Sequence, residues 1–423
     1  MEGAMDRREF LRRLGLASGA VMVDDRAEEW LWLGSKGVRA VEVPTVTQVG
    51  SVITWQTRQP CPSLLQVLSP DGSKSHFESA EVVEDHGLAV TGLRASTDYR
   101  FQLLSPTNGQ VWYEGRFRTL PAAEGKRLAR FAVIADPHVG EMEAGHIGFP
   151  DFSFTKGYKS WDPNNPHWRF TLRACLEEIN ALGPDLLVFA GDLSTHDKPE
   201  EYRLVRTLLE DLRPAFPVFY ARGNHDIPHA QTAEDNFKKG FGLEESFQAF
   251  PVGEVAFLLP DFIDRTSKTG RAKVRTEDLR RFSDDLKKYA DRPTFVINHH
   301  QLLSRRRPID WADTGDADRL IDVLLREGNP WLMLCGHVHG ADLTLLGNGG
   351  RIIPQVALPA CKDYPCGYGL VTVYEHSVQY NFHRPLDPWC LRWTNLTRGM
   401  YYGLAPKLNY GRVGERNALF MRG

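Results

Sequence analysis

The sequence has few cysteines, no long apolar run and almost no net charge. Six cysteines in 423 residues, with no CxxC pair among them, exclude a disulfide scaffold and a structural zinc site; only Cys361 and Cys366 are close enough in sequence to invite a bridge. No apolar run reaches the roughly 20 residues that a membrane-spanning helix needs. Since 51 Lys+Arg nearly balance 54 Asp+Glu, for a formal net charge of -3, the chain has no global field for nucleic acid or an acidic membrane. We therefore expect no transmembrane segment and no nucleic-acid partner, and any anion-binding site must be local.

The composition is that of a globular protein. Hydrophobic residues at 42% and charged residues at 25% exclude disorder, collagen and coiled coil. A chain of 423 residues exceeds one ordinary hydrophobic core, so we expect two or three domains. The sequence leaves open whether the protein is a homo-oligomer.

The N-terminal segment resembles an export signal. Arg7 and Arg8 are followed by Phe10-Leu11-Arg12, and a mildly apolar stretch runs from Leu14 to Val23, as in twin-arginine signals. The resemblance implies that residues 1–30 form a twin-arginine-type signal and that the protein is exported, to the periplasm in a bacterium. The alternative is the basic start of an amphipathic helix, which would leave the protein in the cytoplasm.

Residues 40–120 have the pattern of a small all-β domain. Short alternating runs, such as Tyr99, Phe101 and Leu103, are separated by turn signals at 69–72 and 108–109, which predicts a β-sandwich. The stretch from Gly92 to Phe101 resembles the corner and following strand of a fibronectin type III domain, in which a tyrosine hydroxyl bonds to upstream backbone. Modules of that kind usually bind or space other domains.

From residue 130 onward, apolar β runs alternate with stretches of helical spacing. The β runs at 131–135 and 185–190 enclose a helical pattern at 168–179, and similar alternation continues to the end of the segment. We therefore predict an α/β domain over residues 130–384, with mixed sheets flanked by helices. Residues 385–423 contain turn formers and aromatics without clear periodicity, which predicts an irregular tail packed on the core.

Five short polar clusters each follow a predicted β run. They are Asp136-Pro137-His138, Gly191-Asp192, Gly223-Asn224-His225-Asp226, Asn298-His299-His300 and Gly336-His337-Val338-His339. Ligands of open α/β sheets bind beyond the carboxyl ends of the strands, so these clusters should converge on one crevice. Carboxylates and imidazoles together suit borderline divalent ions such as Mn, Fe or Zn, whereas calcium prefers oxygen ligands alone.

Each cluster taken singly has an ordinary structural explanation. An Asp-x-His after a strand is usually a turn, a Gly-Asp is a common exit from a strand, and one imidazole of a His-His pair is often solvated. A shared metal site explains all five clusters, in this order and each at a strand end, far better than five separate turns do.

The ordered set resembles the calcineurin-like metallophosphoesterase superfamily over residues 130–383. The stretch from Asp185 to Asp226 is most similar to the class III cyclic-nucleotide phosphodiesterase branch. The order of sandwich and then phosphoesterase resembles purple acid phosphatases, but those enzymes carry Asp-x-Gly first and a tyrosine three residues after the Gly-Asp aspartate. This chain has His138 and Thr195 at those positions, so we do not expect a purple ferric site.

The resemblance implies two divalent metal ions that share Asp192. The first ion would also be held by Asp136, His138 and His339, and the second by Asn224, His299 and His337. In the family's His-x-Pro element the leading histidine is the ligand, which selects His299 over His300, although Gln301 replaces the proline in this chain.

Asp192 and His225 are the predicted catalytic residues. In the family, the histidine that corresponds to His225 stabilises the phosphoryl charge or protonates the leaving oxygen. Relatives often orient this histidine with an aspartate three residues after the bridging one. Here that position is Thr195, and Asp197 and Asp226 are left as candidates for the orienting group.

Substrate contacts are predicted at His300, Trp161 and Trp168. Residues 141–167 form a long insertion after the first strand of the α/β domain. The insertion and the residues directly after it are rich in aromatics, including Phe152 and Phe154. A long loop beside a site is often a lid or a substrate wall. The alternative is that its aromatics pack on the sandwich or on a partner subunit.

The predicted function is hydrolysis of a small-molecule phosphate ester, with diesters preferred, by a water that two metal ions activate. A broad phosphomonoesterase is the alternative within enzymes. The alternative from another class is a binding protein whose phosphoesterase domain has lost activity.

Overall fold

The computed structural model describes residues 37–145, 157–227, 234–266, 270–304, 314–347 and 350–422. The predicted signal segment, Phe152 and Phe154 lie outside these ranges. The strands are β1 (Val38–Val46), β2 (Ser51–Leu68), β3 (Lys74–Val90), β4 (Asp98–Leu104), β5 (Val111–Arg118), β6 (Arg127–Ile134), β7 (Leu186–Ala190), β8 (Val218–Ala221), β9 (Gln248–Val252), β10 (Val255–Leu259), β11 (Thr294–Ile297), β12 (Pro330–Cys335), β13 (Asp342–Leu346), β14 (Ile353–Ala357), β15 (Tyr368–Tyr374), β16 (Ser377–His383) and β17 (Asn417–Met421). The helices are α1 (His167–Leu182), α2 (Pro199–Leu212), α3 (Asn236–Phe241), α4 (Thr276–Lys288), α5 (Thr314–Arg326), α6 (Pro388–Thr397), α7 (Met400–Gly403), α8 (Ala405–Leu408) and α9 (Val413–Arg416). Of the helices in the described ranges, none combines the length and the hydropathy that a bilayer crossing requires.

Strands β1 to β5 form the N-terminal β region. The strand order is β1-β2-β4-β5, with β3 also paired to β2. The first part of β2 pairs with β1 and its last four residues pair with β4, and the register is irregular between Gln56 and Ser63. Such an irregularity lets one strand bend between two layers. The main-chain N–H of Arg94 donates to the Tyr99 hydroxyl at 2.9 Å, which is the bond that a fibronectin-type corner implies; membership of that domain type stays a prediction.

A neutral histidine is built into the core of this β region. His86 is 1% exposed, stacks on Trp55 at 4.9 Å between ring centroids, and has its two ring nitrogens 2.8 Å from the hydroxyls of Thr57 and Ser63. Burial lowers the pKa of His86 from 6.5 to about 4. The folded state therefore resists protonation of an imidazole that the unfolded chain protonates readily.

We expect the protein to lose stability as the pH falls from about 6.5 toward 4, because only the unfolded chain gains the His86 proton in that window. For His86 alone, the free energy of unfolding should fall by about 2 kcal/mol between pH 7 and pH 5. Denaturant unfolding at several pH values measures it. In His86→Gln, the loss of unfolding free energy between pH 7 and pH 5 should be smaller by about 2 kcal/mol. The same substitution at the exposed His376 should leave that loss unchanged. An equal loss in the wild type and both variants would contradict the assignment.

The remaining strands form two six-stranded mixed sheets. One has the order β13-β14-β12-β11-β10-β9 and the other β17-β16-β15-β6-β7-β8. The pairs β6-β7 and β7-β8 are parallel in one sheet, as are β10-β11, β11-β12 and β12-β14 in the other. Alternate residues of both sheets, such as Phe131, Phe257 and Phe295, meet in one buried core, and the Phe131 ring lies 4.9 Å and 5.0 Å from the other two.

Helices cover the outer faces of both sheets. Helices α1 and α2 bury Leu172 and Val205 against the outer residues of β6 and β7. Helices α4 and α5 bury Phe282 and Leu320 against the outer residues of β10 to β12. This layering confirms the predicted fold class of mixed sheets flanked by helices, preceded by a β region.

The C-terminal segment is more regular than the predicted irregular tail. Helix α6 packs against α1 and β3, and β17 pairs antiparallel with β16. Cys390, Leu391, Trp393 and Thr394 are all buried within α6. The opposite side of the helix carries Trp389 and Leu396, which are 37% and 43% exposed, so the sequence lacks the polar face that marks a surface helix.

A buried ion network joins the β region to the two-sheet body. Glu42 of β1 accepts hydrogen bonds from Arg384 at 2.7 Å and from the Tyr364 hydroxyl at 2.6 Å, and it also pairs with Arg398. Burial alone would raise the pKa of Glu42, but the two arginines hold it below its usual range. The Thr45 hydroxyl adds a bond of 2.7 Å to the Phe382 carbonyl. The β region is therefore fixed to the body by buried charges and not only by the connecting chain.

The cysteines are free thiols. Cys361 and Cys366 do not form the bridge that their spacing invites; the Cys366 thiol instead donates to the Cys361 carbonyl. The Cys361 sulfur lies 3.6 Å from that of Cys175 on α1, and burial raises the pKa of the Cys175 thiol well above its usual range.

Candidate metal centre

The five polar clusters lie at carboxyl ends of strands, as predicted. Asp136, Asp192 and Asn224 follow β6, β7 and β8 of one sheet, and His299 and His337 follow β11 and β12 of the other. Because the two sheets face each other with these ends on the same side, the loops meet above the shared core. The crevice is therefore assembled from both sheets.

Several of these residues are held in a strained backbone conformation. Five of the predicted ligands have φ from 44° to 69°, namely Asp136, His138, Asp192, His337 and His339. A non-glycine residue in this left-handed region costs about 1–3 kcal/mol, and such strain concentrates at functional sites.

Glycines let the loops approach one another. A Cβ on Gly223 would lie 2.1 Å from the Asp192 main-chain nitrogen, and one on Gly191, where φ is 94°, would lie 2.4 Å from His299 Nδ1. The glycines of the Gly-Asp and Gly-Asn-His-Asp motifs are thus required by the packing of the site itself.

The first ligand group consists of Asp136, His138, Asp192 and His339, whose donor atoms all lie within 4.8 Å of one another. The Nε2 atoms of His138 and His339 are 3.1 Å apart. His138 Nε2 also lies 3.5 Å from Asp192 Oδ2, and His339 Nε2 lies 3.5 Å from Asp136 Oδ1.

The second group consists of Asp192, His299 and His337, with Asn224 beside it. His299 Nε2 lies 3.2 Å from Asp192 Oδ2 and 3.0 Å from Asn224 Oδ1, and His337 Nδ1 lies 2.8 Å from the same Asn224 oxygen. The structure therefore brings all seven predicted ligands together, in two groups that share Asp192.

Burial and neighbouring charges shift the pKa values of these residues. Burial lowers the pKa of His138 and of His337 well below the usual range, so both imidazoles are neutral. Burial alone would raise the pKa of Asp192, but His299 and His225 hold it well below its usual value. For His299 the attraction of Asp192 outweighs burial and raises the pKa to about 9. Metal binding at the second group must therefore displace a proton from His299.

The donor set fits a divalent cation in each group. In the first group, two imidazole nitrogens lie 3.1 Å apart, and each lies 3.5 Å from a carboxylate oxygen. The lone pairs of these atoms repel one another, and a shared cation removes that repulsion. Asp192 Oδ2 lies near both groups, at 3.5 Å from His138 Nε2 and 3.2 Å from His299 Nε2. Nitrogen and oxygen ligands of this kind suit Mn, Fe or Zn.

His225 is exposed at the edge of the first group, and its ring centroid lies 4.7 Å from that of His138. Its Nδ1 lies 3.0 Å from the main-chain carbonyl of Thr195. Neither candidate carboxylate orients it. The Asp197 side chain accepts from the Tyr202 hydroxyl and Asn236. The main-chain carbonyl of Thr195 is thus the group that fixes the His225 ring.

Asp226 clamps two of the site loops together. Its carboxylate accepts from the main-chain N–H groups of Leu193, Ser194 and Gly223 at 2.9 to 3.2 Å. Burial and the neighbouring Asp192 raise the pKa of Asp226 to about 7. Its role is to join the loop of Asp192 to the loop of Asn224.

The two tryptophans predicted to contact substrate differ in burial. Trp168 is 5% exposed within the core between α1 and the sheet, so its indole does not form a substrate wall. Trp161 packs with Phe170, Trp389 and Trp393 on α1 and α6, and these contacts are with the C-terminal segment rather than the sandwich or the metal ligands. Of these two side chains, only Trp161 packs on the aromatic surface of α6; it remains 36% exposed, so a substrate contact at Trp161 stays a prediction.

His300 is buried beneath the second group. It is 2% exposed, its ring lies 4.3 Å from that of His337, and burial lowers its pKa to about 3. It supports a ligand instead of contacting substrate from the surface.

Two facing sheets, outer helices and an Asp/His ligand set at the strand ends define a metallophosphoesterase-type α/β protein. Residues 129–341 match the model of the calcineurin-like phosphoesterase family, and the chain belongs to that family of phosphoric ester hydrolases.

Three relatives illustrate the range of the family. A probable glycerophosphodiester phosphodiesterase GpdQ of Arcobacter nitrofigilis is 27% identical over 206 residues, which cover 45% of this chain and 71% of the relative. A 3',5'-cyclic-nucleotide phosphodiesterase of Nostoc sp. is 28% identical over 39% of this chain and 60% of the relative. A serine/threonine-protein phosphatase CPPED1 of Pongo abelii is 33% identical over 38% of this chain and 53% of the relative. The chain thus matches between about half and about 70% of the length of these curated relatives.

Proposed function

We propose that the protein hydrolyses phosphate esters at a dinuclear metal centre, with diesters preferred. The observation that carries the proposal is the convergence of two ligand groups on Asp192. The first ion would be held by Asp136, His138, Asp192 and His339, and the second by Asp192, Asn224, His299 and His337. When bound, two such ions activate a water near neutral pH and neutralise phosphoryl oxygens.

The chain's own residues supply the remaining functions. Asp226 fixes the main chain after Asp192, and the Asp192 carboxylate itself accepts from the His225 main-chain N–H at 2.8 Å. His225 lies at the exposed edge of the site with Nδ1 held by the Thr195 carbonyl, which leaves Nε2 for the substrate. We assign it the stabilisation of the phosphoryl charge or the protonation of the leaving oxygen. A binding protein with a decayed site is less well supported, because the full ligand set is present.

The preference for diesters rests on the charge around the site. A monoester is nearly dianionic at neutral pH and needs more positive charge than a singly charged diester. Arg222, the residue directly before the Gly-Asn-His-Asp segment, is fully buried between Asp235 and Asp261 at 2.7 and 2.9 Å. Its charge is therefore compensated by protein carboxylates.

We expect kcat/KM for bis(4-nitrophenyl) phosphate to exceed that for 4-nitrophenyl phosphate by about tenfold or more, or about 1.4 kcal/mol of transition-state stabilisation. Steady-state assays of the manganese-loaded protein measure both. A tenfold preference for the monoester would instead establish the broad phosphomonoesterase. Two bound metals with neither ester hydrolysed would favour the binding protein.

We also propose export through the twin-arginine motif, on the grounds of the residues from Arg7 to Arg12. Changing Arg7 and Arg8 together to lysine should retain the protein in the cytoplasm of a bacterial host that has this pathway. Cell fractionation and immunoblotting measure the distribution. Unchanged fractionation of the double variant would leave the alternative, a cytoplasmic protein that begins with a basic helix.

A further inference from the structure

A buried lysine lies outside the predicted ligand set but close to it. The side chain of Lys362 is 4% exposed, and its Nζ lies 2.6 Å from Glu141 Oε2 and 2.8 Å from Asp363 Oδ2. Burial alone would lower the pKa of Lys362, but the two carboxylates raise it above its usual range, so the ammonium is charged. A buried charge of this kind is costly unless it is paired, and here both partners come from loops beside the metal centre.

The loop that carries Lys362 is bonded to both halves of the site. It connects β14 of one sheet to β15 of the other. The Cys361 N–H donates to the carbonyl of Ala135, directly before Asp136, and the Leu358 N–H donates to the carbonyl of Cys335, two residues before His337. The Trp393 indole N–H donates to the Lys362 carbonyl at 2.7 Å. The main chain at Lys362 therefore has little freedom to shift.

Glu141 links Lys362 to a metal ligand. The Glu141 N–H closes a turn by donating to the His138 carbonyl at 3.0 Å. The Glu141 carboxylate is held by Lys362 and lies 3.2 Å from Nε2 of His167 at the start of α1. His167 in turn stacks on Trp393 at 4.8 Å. The turn from His138 to Glu141 is thus fixed at its far end by a buried ion pair.

We propose that Lys362 is a positioning residue of the first metal group, and that it acts by holding Glu141 and so the turn that presents His138. The inference rests on the proposed dinuclear function. Groups that orient a metal ligand typically change metal affinity by about 10- to 100-fold when they are removed. The two carboxylates that hold Lys362 also compensate its charge, which assigns it to positioning and not to substrate binding.

The test is manganese binding to the full chain. Titration with Mn²⁺, with free ion followed by electron paramagnetic resonance, should give two ions per wild-type chain. Lys362→Met should weaken one of the two by about 10- to 100-fold and leave the other within about threefold. The same result is expected for Glu141→Gln, which keeps the Lys362–Asp363 pair and provides a variant if Lys362→Met does not fold.

Two comparisons separate positioning from general destabilisation. If Lys362 and Glu141 act as one unit, the double variant should lose about as much Mn²⁺ affinity as either single variant. The fold-losses of the two single variants should not multiply. Leu286→Ala removes a buried side chain from the core under α4 and should lower stability while keeping both Mn²⁺ sites. Two unweakened sites in both single variants, or multiplied losses in the double variant, would overturn the inference. A wild-type chain that binds no Mn²⁺ would instead refute the proposed function on which it rests.

Discussion

Replacing Asp192 with asparagine is expected to remove bound metal and activity together. Asp192 Oδ2 lies 3.5 Å from His138 Nε2 and 3.2 Å from His299 Nε2, so one carboxylate serves both ligand groups. Asparagine keeps one oxygen but loses the charge that balances two cations. We expect fewer than two metals per chain and a fall in kcat/KM of about 10³-fold, or roughly 4 kcal/mol of transition-state stabilisation.

Elemental analysis and steady-state kinetics on the same samples measure both effects. Asp197→Asn is the matched control, since Asp197 is a buried acid five residues away whose carboxylate accepts from Tyr202 and Asn236 instead of facing the ligands. It should keep two metals. An Asp192→Asn variant with two metals and the full rate would contradict the shared-ligand assignment.

Replacing His225 with alanine is expected to separate metal binding from turnover. The His225 side chain is absent from both ligand groups, but its ring packs at 4.7 Å from His138 at the exposed edge of the site. We therefore expect two metals per chain and a kcat reduced by about 10²- to 10⁴-fold, the usual contribution of a positioned acid or base.

His196→Ala is the control for His225→Ala. His196 is a half-exposed histidine on the neighbouring loop, and its ring pairs with Glu201 at 2.9 Å instead of with a predicted ligand. Its removal should therefore change kcat by no more than about threefold, or roughly 0.6 kcal/mol. A His225→Ala variant with wild-type kcat would exclude the catalytic assignment. Loss of metal in that variant would make His225 a supporting group of the first ligand set.

The sequence predicts the convergence of the candidate ligands well because these residues follow regular strands. The apolar runs before Asp136, Asp192 and His337 have the length and composition of buried strands, and parallel strands bring their carboxyl ends together. The order of motifs then resembles one superfamily, which supplies the pairing of ligands into two groups. The fold class and the convergence of these residues could therefore be predicted without coordinates.

Contacts between distant segments could not be predicted in the same way. The His225 ring is oriented by the Thr195 main-chain carbonyl, and a side-chain pattern carries no information about such a bond. Lys362 pairs with Glu141 across more than half of the chain, and neither residue belongs to a recognisable motif. The position of Trp161 in a loop after the first strand suggests a contact with substrate, but it carries no sign that one side of the ring packs on α6.

The relation of the β region to the body also depends on contacts between distant segments. A separate binding or spacing module is the natural expectation from a fibronectin-like pattern. Instead, Glu42 of β1 is buried against Arg384 and Tyr364 of the body. Tyr364 belongs to the same loop as Lys362, so the β region supports the loop that lies beside the first ligand group.

The most direct test of the dinuclear assignment is a crystal structure of the manganese-loaded protein with anomalous scattering data. We predict two manganese peaks about 3.5–4 Å apart, with the Asp192 carboxylate bound to both, His138 and His339 on one side, and His299 and His337 on the other. A single peak, or two peaks of which only one contacts Asp192, would contradict the account.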